Sequence, residues 1–207
     1  VNNSKIDLTT DGKKANGLIN VAGVKIINPM GTISAPSAKI LFGEKDIVIN
    51  SAYILLNNSR VDITGKVTDY MSKNLEFNIN AKGNLLGSDL RAMIPADFRN
   101  FVVAKGKLPL SVDILGDTKK QDVIFSLTSN PSNYVSVLSV DQLKGKTSVI
   151  KGSVKLNGDN LKFADTGIYA NGVGVCYLKG GISDLYKSQK LNLNVSTPNN
   201  IVFVIPG

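Results

Sequence analysis

Few side chains in this sequence could carry chemistry. The acids that fall near one another in strand-like segments are Asp62 with Glu76 and Asp113 with Asp122. Two facing carboxylates about 5 to 9 Å apart can hydrolyse a glycosidic bond, one as acid and the other as nucleophile or base. Here all four stand among lysines on the polar side of their segments, where charge pairing on a solvated face is the expected role. The chain contains no histidine. That removes the commonest general base, the commonest metal ligand and every Ser-His-Asp or Cys-His arrangement. The one cysteine, Cys176, has no second thiol to pair with and stands in the apolar register of its segment. A small buried hydrophobe is its expected role. Asp69 and Asp184 each precede a loop, which fits turn formation. Calcium would need more clustered oxygens than either segment supplies. Gly172, Gly174, Gly180 and Gly181 open no helix, so they form no phosphate loop. The expectation is a non-enzyme without metal or cofactor.

What the sequence does offer is repetition. Residues 39–83 and 153–197 carry the same pattern, offset by about 115 residues. Val61, Ile63, Gly65, Val67 and Asp69 align with Cys176, Leu178, Gly180, Ile182 and Asp184. Leu75, Phe77 and Ile79 align with Leu191, Leu193 and Val195 after a one-residue slip. The repeated unit is an alternation of apolar and polar residues, the signature of strands with one greasy face. Gly65 and Gly180 interrupt that face at matched places, where a bulge or bend is expected.

The composition agrees. Of 207 residues, 43% are hydrophobic and 19% charged, with apolar residues spread through nearly every window. That excludes a disordered chain and leaves room for one domain or two. The net charge of +8 is dispersed, with Lys13-Lys14 and Lys119-Lys120 as the only basic pairs and arginine only at 60, 91 and 99. Such a distribution fits a solubilising surface or attraction to an anionic membrane better than nucleic-acid binding. The chain starts at Val1 with no leader and no apolar run of about eighteen residues. Together with the repeat, this reads as a piece cut from a longer protein.

Strands are expected over residues 4–8, 17–27, 38–42, 46–50, 53–56, 59–68, 75–81, 107–115, 122–127, 148–156, 160–164, 167–170, 175–183, 190–196 and 201–205. Residues 134–140 are ambiguous. Asp11-Gly12, Asn57-Asn58, Asn157-Gly158 and Asn171-Gly172 are turn signals. Pro109 implies a local edge or a bulge. The period of two fails at residues 88–93, which read as a short helix with Ser88 as N-cap, Asp89 in its first turn and Pro95 as its stop. A further helical turn is expected over 96–100. The fold class is therefore mainly β: a repetitive, twisted antiparallel sheet, either a groove or a curled, partly open barrel or sandwich, with one or two short helices near 88–100. Residues 1–30 form a leading β segment, 31–100 a first repeat and 101–207 a second, in one continuous module.

Residues 59–70, 74–83 and 87–95, ending in the D-L-x-x-x-I-P segment, resemble the repeating signature of the AsmA-like family, as does K-G-K-L-P-L-S-V-D-I-L-G at 105–116. The resemblance runs from about residue 31 onward and is looser in the second copy. It implies a periplasmic protein tethered to the inner membrane by a segment absent from this chain. It also implies phospholipid acyl chains as ligand, membrane surfaces at the ends of the parent protein as partners, and no catalytic residues. The lining expected for a lipid groove is Val61, Ile63, Val67, Leu75, Phe77, Ile79, Leu108, Leu110, Val112, Ile114, Val123, Phe125 and Leu127, with Cys176, Leu178, Leu191 and Leu193 in the second copy. The alternative is a structural or adhesion β-repeat with a filled core and no lipid. The sequence leaves the oligomeric state open.

Overall fold

The structure, a computed structural model, describes residues 5–10, 15–21, 24–28, 31–73, 75–94, 96–137, 146–185, 188 and 190–198. The strands are β1 (Lys5–Thr10), β2 (Ala15–Val21), β3 (Val24–Asn28), β4 (Gly31–Phe42), β5 (Ile47–Leu56), β6 (Ser59–Thr68), β7 (Glu76–Leu86), β8 (Val102–Lys105), β9 (Lys107–Asp117), β10 (Lys120–Ser129), β11 (Tyr134–Val137), β12 (Ser148–Asn157), β13 (Asn160–Ala170), β14 (Val173–Ser183) and β15 (Lys190–Ser196). Helix α1 (Gly87–Met93) and a 3-10 turn (Ala96–Phe101) lie between β7 and β8. Thirteen strands form one antiparallel sheet in the order β1-β2-β4-β5-β6-β7-β9-β10-β12-β13-β14-β15, with β3 on β4, and the sheet does not close into a barrel. The remaining pair, β8 and β11, forms a small second sheet.

The order follows from short connections, which make sequence neighbours into spatial neighbours. Asn171 and Gly172 both take left-handed backbone, the geometry that a tight hairpin demands. Asn57 does the same at the matched hairpin. Its N–H donates to the Thr32 carbonyl at 2.7 Å, and that of Asn171 to the Thr147 carbonyl at 2.9 Å. Asp69 and Asp184 are both left-handed, and the residues after them repeat one bond: Tyr70 N–H to the Lys45 carbonyl, Leu185 N–H to the Asp159 carbonyl. The repeat seen in the sequence is thus a repeat of backbone geometry.

Both copies also carry a bulge at one place. The register steps from Ile49–Gly65 to Ala52–Ile63 in the first and from Phe163–Gly180 to Thr166–Leu178 in the second. One strand has an extra residue each time. That extra residue flips the alternation, which is why residues 46–50 and 53–56 read as two strands in the sequence but form the single β5. The same holds for 160–164 and 167–170 within β13. Pro109 pairs only with Asn84 of β7, because the β9–β10 ladder stops at Leu110–Leu127. The strand is a local edge there, as proline requires.

Two details differ from the sequence reading. The N-cap of α1 is Leu86 with no side-chain cap bond, and Ser88 lies inside the helix. Ser88 loses that role because the Leu86 N–H is already held by the buried Ser59 hydroxyl at 2.8 Å, fixing the helix start two residues earlier. The ladder also aligns Phe77 with Leu191 and Ile79 with Leu193, through their partners Val67 and Ile182, Gly65 and Gly180. The sequence alignment was off by two residues, a slip that a period of two cannot detect. Residues 11–12, 29, 95, 138–140 and 201–205 lie outside the described residues.

Among the described residues, buried apolar side chains are few: Val61, Leu85, Leu108, Val135 and Ala170. Leu85 and Leu108 are direct cross-strand partners at the end of β7 and the start of β9, beside α1 and β8. There Asp89 of α1 accepts hydrogen bonds from the Ser59 hydroxyl at 2.7 Å and the Asn58 N–H at 2.9 Å. This buried carboxylate ties the helix to the sheet rim.

Close strand approach makes Gly65 irreplaceable. A Cβ there would sit 2.5 Å from the Asn78 carbonyl oxygen and 2.9 Å from the Ile79 Cα, neither of which can move without breaking the ladder. Gly65→Ala is expected to lower stability by about 1–3 kcal/mol, read by urea denaturation, whereas Gly43→Ala, 3.4 Å from its nearest atom, should be close to neutral. At the β9–β10 turn, the Lys119 and Lys120 N–H groups donate to Asp117 and hold its carboxyl below the ordinary value. Because the folded-state pKa is the lower one, this hold is complete above the ordinary carboxylate range and is lost as pH falls through the lowered value. Amide exchange at Lys119 and Lys120 should therefore accelerate, relative to neighbouring hairpins, only in that acid window.

Candidate functional site: an apolar lane across the sheet

Directly opposed residues of paired strands project to the same face. Following the register from strand to strand therefore traces what one face presents. One such row runs Ile19, Ile40, Ile49, Gly65, Ile79, Ile114, Val123, Val154, Phe163, Gly180 and Leu193. Every member from β2 to β15 is apolar or glycine. At about 4.8 Å per strand the row is on the order of 50 Å long. The next row runs Gly17, Phe42, Ile47, Val67, Phe77, Gly116, Gln121, Leu156, Leu161, Ile182 and Leu191. Its single polar member, Gln121, turns its amide to the Asp117 carbonyl at 2.5 Å.

Two further rows fill the width towards the α1 rim. Ala52, Ile63, Ala81, Val112, Phe125 and Gly152 form one. Val61, Gly83, Leu110, Leu127, Ile150, Ile168 and Cys176 form the other. Glycine is placed with purpose: Phe42, Phe77, Phe125 and Phe163 each face a glycine across the ladder, at 17, 116, 152 and 180. A phenyl ring can lie over a residue that has no side chain, which smooths the surface and shields the bare backbone.

The structure therefore puts Val61, Ile63, Val67, Phe77, Ile79, Leu108, Leu110, Val112, Ile114, Val123, Phe125, Leu127, Cys176, Leu178, Leu191 and Leu193 on one face. Leu75 is the exception, lying just before β7 and outside the ladder because pairing begins at Glu76. Residues not singled out from the sequence complete the lane, among them Ile40, Ile49, Val154 and Phe163. Their apolar pattern was visible, but only the register links them to the rest. Most lane residues are partly accessible, and at the open edge Leu191 and Val195 are 67% and 63% exposed. No second layer seals this face among the described residues.

The opposite face is polar along most of its length. Thr64, Asn80 and Asp113 are successive partners, as are Asp122, Lys155 and Lys162. The acid pairs considered for catalysis fall here. Asp62 is bound to Arg60 at 2.8 Å and pairs with Lys82, while Glu76 pairs with Thr68 six residues along the strand, a separation of roughly 20 Å. The structure does not bring those two together. Asp113 and Asp122 are diagonal neighbours on this face, and Asp113 accepts a bond from the Asn80 amide. Among the described residues no group of three or more metal-ligating side chains converges. No described helix is long and apolar enough to cross a membrane. No protein-family model, curated protein or solved structure matches this chain.

Cys176 sits in the lane opposite Ile168, and burial pushes its thiol up. Its thiolate fraction is therefore low at neutral pH and rises with pH. Alkylation by iodoacetamide should be slower than for a free thiol at pH 7.5, with the ratio narrowing as pH rises. Mass spectrometry of the modified protein checks this.

Proposed function

We propose that this chain is a lipid-binding β-groove module, part of an envelope protein that supports phospholipid movement between the inner and outer membranes of a diderm bacterium. The observation that carries the reading is the unbroken apolar row from Ile19 to Leu193, left without a covering layer among the described residues. An acyl chain is long, flexible and needs no directional contact, so a strip of isoleucine, valine, leucine and phenylalanine is a sufficient surface for it. The scattered positive charge, +8 overall, favours approach to anionic membrane surfaces. The sequence resemblance to the AsmA-like family supports the same reading and supplies its periplasmic setting and inner-membrane tether. No residue acts as a catalyst in this function.

Adjacent residues of one strand provide the test, because they face opposite ways. A photoreactive amino acid at Ile79 or Ile114 should give lipid adducts when the protein is irradiated after extraction from cells, and the same probe at Asn80 or Asp113 should give few. Equal labelling of the two faces, or a lipid-free protein throughout, would overturn the proposal. It would favour a structural repeat instead.

A further inference from the structure

Asparagine followed by glycine occurs three times in the chain, at Asn16-Gly17, Asn157-Gly158 and Asn171-Gly172. A glycine nitrogen has no neighbouring side chain to hinder it, and its main chain turns freely. It can therefore attack the side-chain carbonyl of the preceding asparagine and close a five-membered ring. What holds that nitrogen decides the outcome, and the three places differ. Gly17 lies inside β2, paired with Leu8 of β1 on one side and Phe42 of β4 on the other. A main chain laddered on both sides cannot swing its nitrogen without opening the sheet. Gly158 lies at the β12–β13 turn, and its N–H donates to the Lys119 carbonyl at 3.0 Å. Gly172 lies at the tip of the β13–β14 hairpin, where Asn171 and Gly172 link the paired Ala170 and Val173. Both tip residues are exposed and left-handed, with φ of 48° and 83°. Among the described residues nothing accepts a bond from the Gly172 amide. Empty space surrounds Gly158 and Gly172 alike, since a Cβ on either would meet nothing within 4 Å. The two exposed turns thus differ in the bond at the glycine nitrogen. The Asn171 N–H is held by the Thr147 carbonyl at 2.9 Å, but that bond lies on the far side of the ψ rotation that carries the Gly172 nitrogen towards the side chain.

We propose that Asn171 is the site of spontaneous deamidation in the folded chain, with water as the only co-reactant. The Gly172 nitrogen gives its proton to solvent base and bonds to Asn171 Cγ. The bond from Cγ to the side-chain nitrogen breaks, and that nitrogen leaves as ammonia with a proton from solvent. One water then opens the succinimide ring. Addition at Cγ leaves the main chain as it was, with an aspartate in place of the asparagine. Addition at the α-carbonyl gives isoaspartate, whose main chain passes through the former side chain and is one carbon longer. Either product replaces a neutral amide with a carboxylate. A two-residue hairpin loop has its geometry set by those two residues alone. An extra main-chain carbon there removes the match to the strands, and the loosening enters β13 and β14, where Ile168 and Cys176 are partners in the lane.

The experiment incubates the 207-residue chain in mildly alkaline buffer, folded in one sample and unfolded by urea in another. Peptide mass spectrometry follows the mass gain of amide-to-acid conversion at Asn16, Asn157 and Asn171, and electron-transfer fragmentation identifies isoaspartate. In the folded chain Asn171 should convert at least about fivefold faster than Asn157, the factor that one net hydrogen bond on the Gly158 nitrogen implies. Asn16 should be slower again. In urea the three rates should converge, because each asparagine then has the same free neighbour. Asn171→Gln, whose longer side chain would have to close a six-membered ring, should remove the fast conversion and leave the slow ones unchanged. Equal rates at Asn171 and Asn157 in the folded chain, or earlier conversion at Asn157 or Asn16, would overturn the proposal. So would a folded chain that stays unmodified at Asn171 for as long as the urea sample takes to convert fully. A ranking that persists unchanged in urea would overturn it too, because local sequence and not the hairpin would then be the cause.

Discussion

Lateral pairing of apolar side chains across the ladder is the interaction on which this molecule depends. A protein with two packed layers stabilises itself by burying one against the other. Here only a handful of apolar side chains among the described residues are buried, so most of the favourable burial is neighbour against neighbour within a single sheet. Each opposed apolar pair contributes a few tenths of a kcal/mol to about 1 kcal/mol, and the backbone ladder satisfies the polar main chain along most of its length. Stability is spread over many such pairs. The one exception is the rim, where α1 and β8 cover Leu85 and Leu108 and the Asp89 carboxylate fixes the helix to Ser59.

That arrangement leaves a face with unspent capacity. In a sandwich, the rows from Ile19 to Leu193 and from Gly17 to Leu191 would be occupied by a second sheet about 10 Å away. Open, they form a surface of matched width and uninterrupted character that runs across the strands, the direction in which a long flexible molecule meets the same environment at every step. The phenylalanine–glycine pairs help to keep that surface level. The lysine-bearing face opposite gives the lane a polar boundary.

Much of the fold was legible in the sequence because alternation is a local signal. Val61, Ile63 and Val67 against Arg60, Asp62 and Lys66 declare a one-sided strand without any tertiary information. The turns at Asn57 and Asn171 were legible for the same reason. What failed depended on long-range partners. The bulges in β5 and β13 begin opposite Gly65 and Gly180, where the sequence marks a bulge or bend, but the extra residue is on the partner strand, where no residue type announces it. The start of α1 is set by Ser59, 27 residues away from the Leu86 amide that it holds. A period of two also hides slips of two, so the second copy was aligned to the wrong partner of Gly180. The lane as a whole was legible as a set of faces and illegible as a continuous path, because only register joins Ile40 and Ile49 to Phe163. Arg91, Arg99, Lys105 and Lys107 are dispersed in the sequence and come together around one cleft only where α1 and β8 meet the start of β9.

The matched bulges of β5 and β13 have an architectural corollary. Between them the sheet order advances by six strands, from β5 through β6, β7, β9, β10 and β12 to β13, or on the order of 30 Å. Six is an even number. In an antiparallel sheet an even count returns the chain to the same heading with the same side up, whereas an odd count would invert the next copy end for end. Duplication of this unit therefore elongates the molecule in fixed increments and keeps the greasy side on one continuous face that follows the twist of the sheet, and a gene can set the reach of the protein by counting copies.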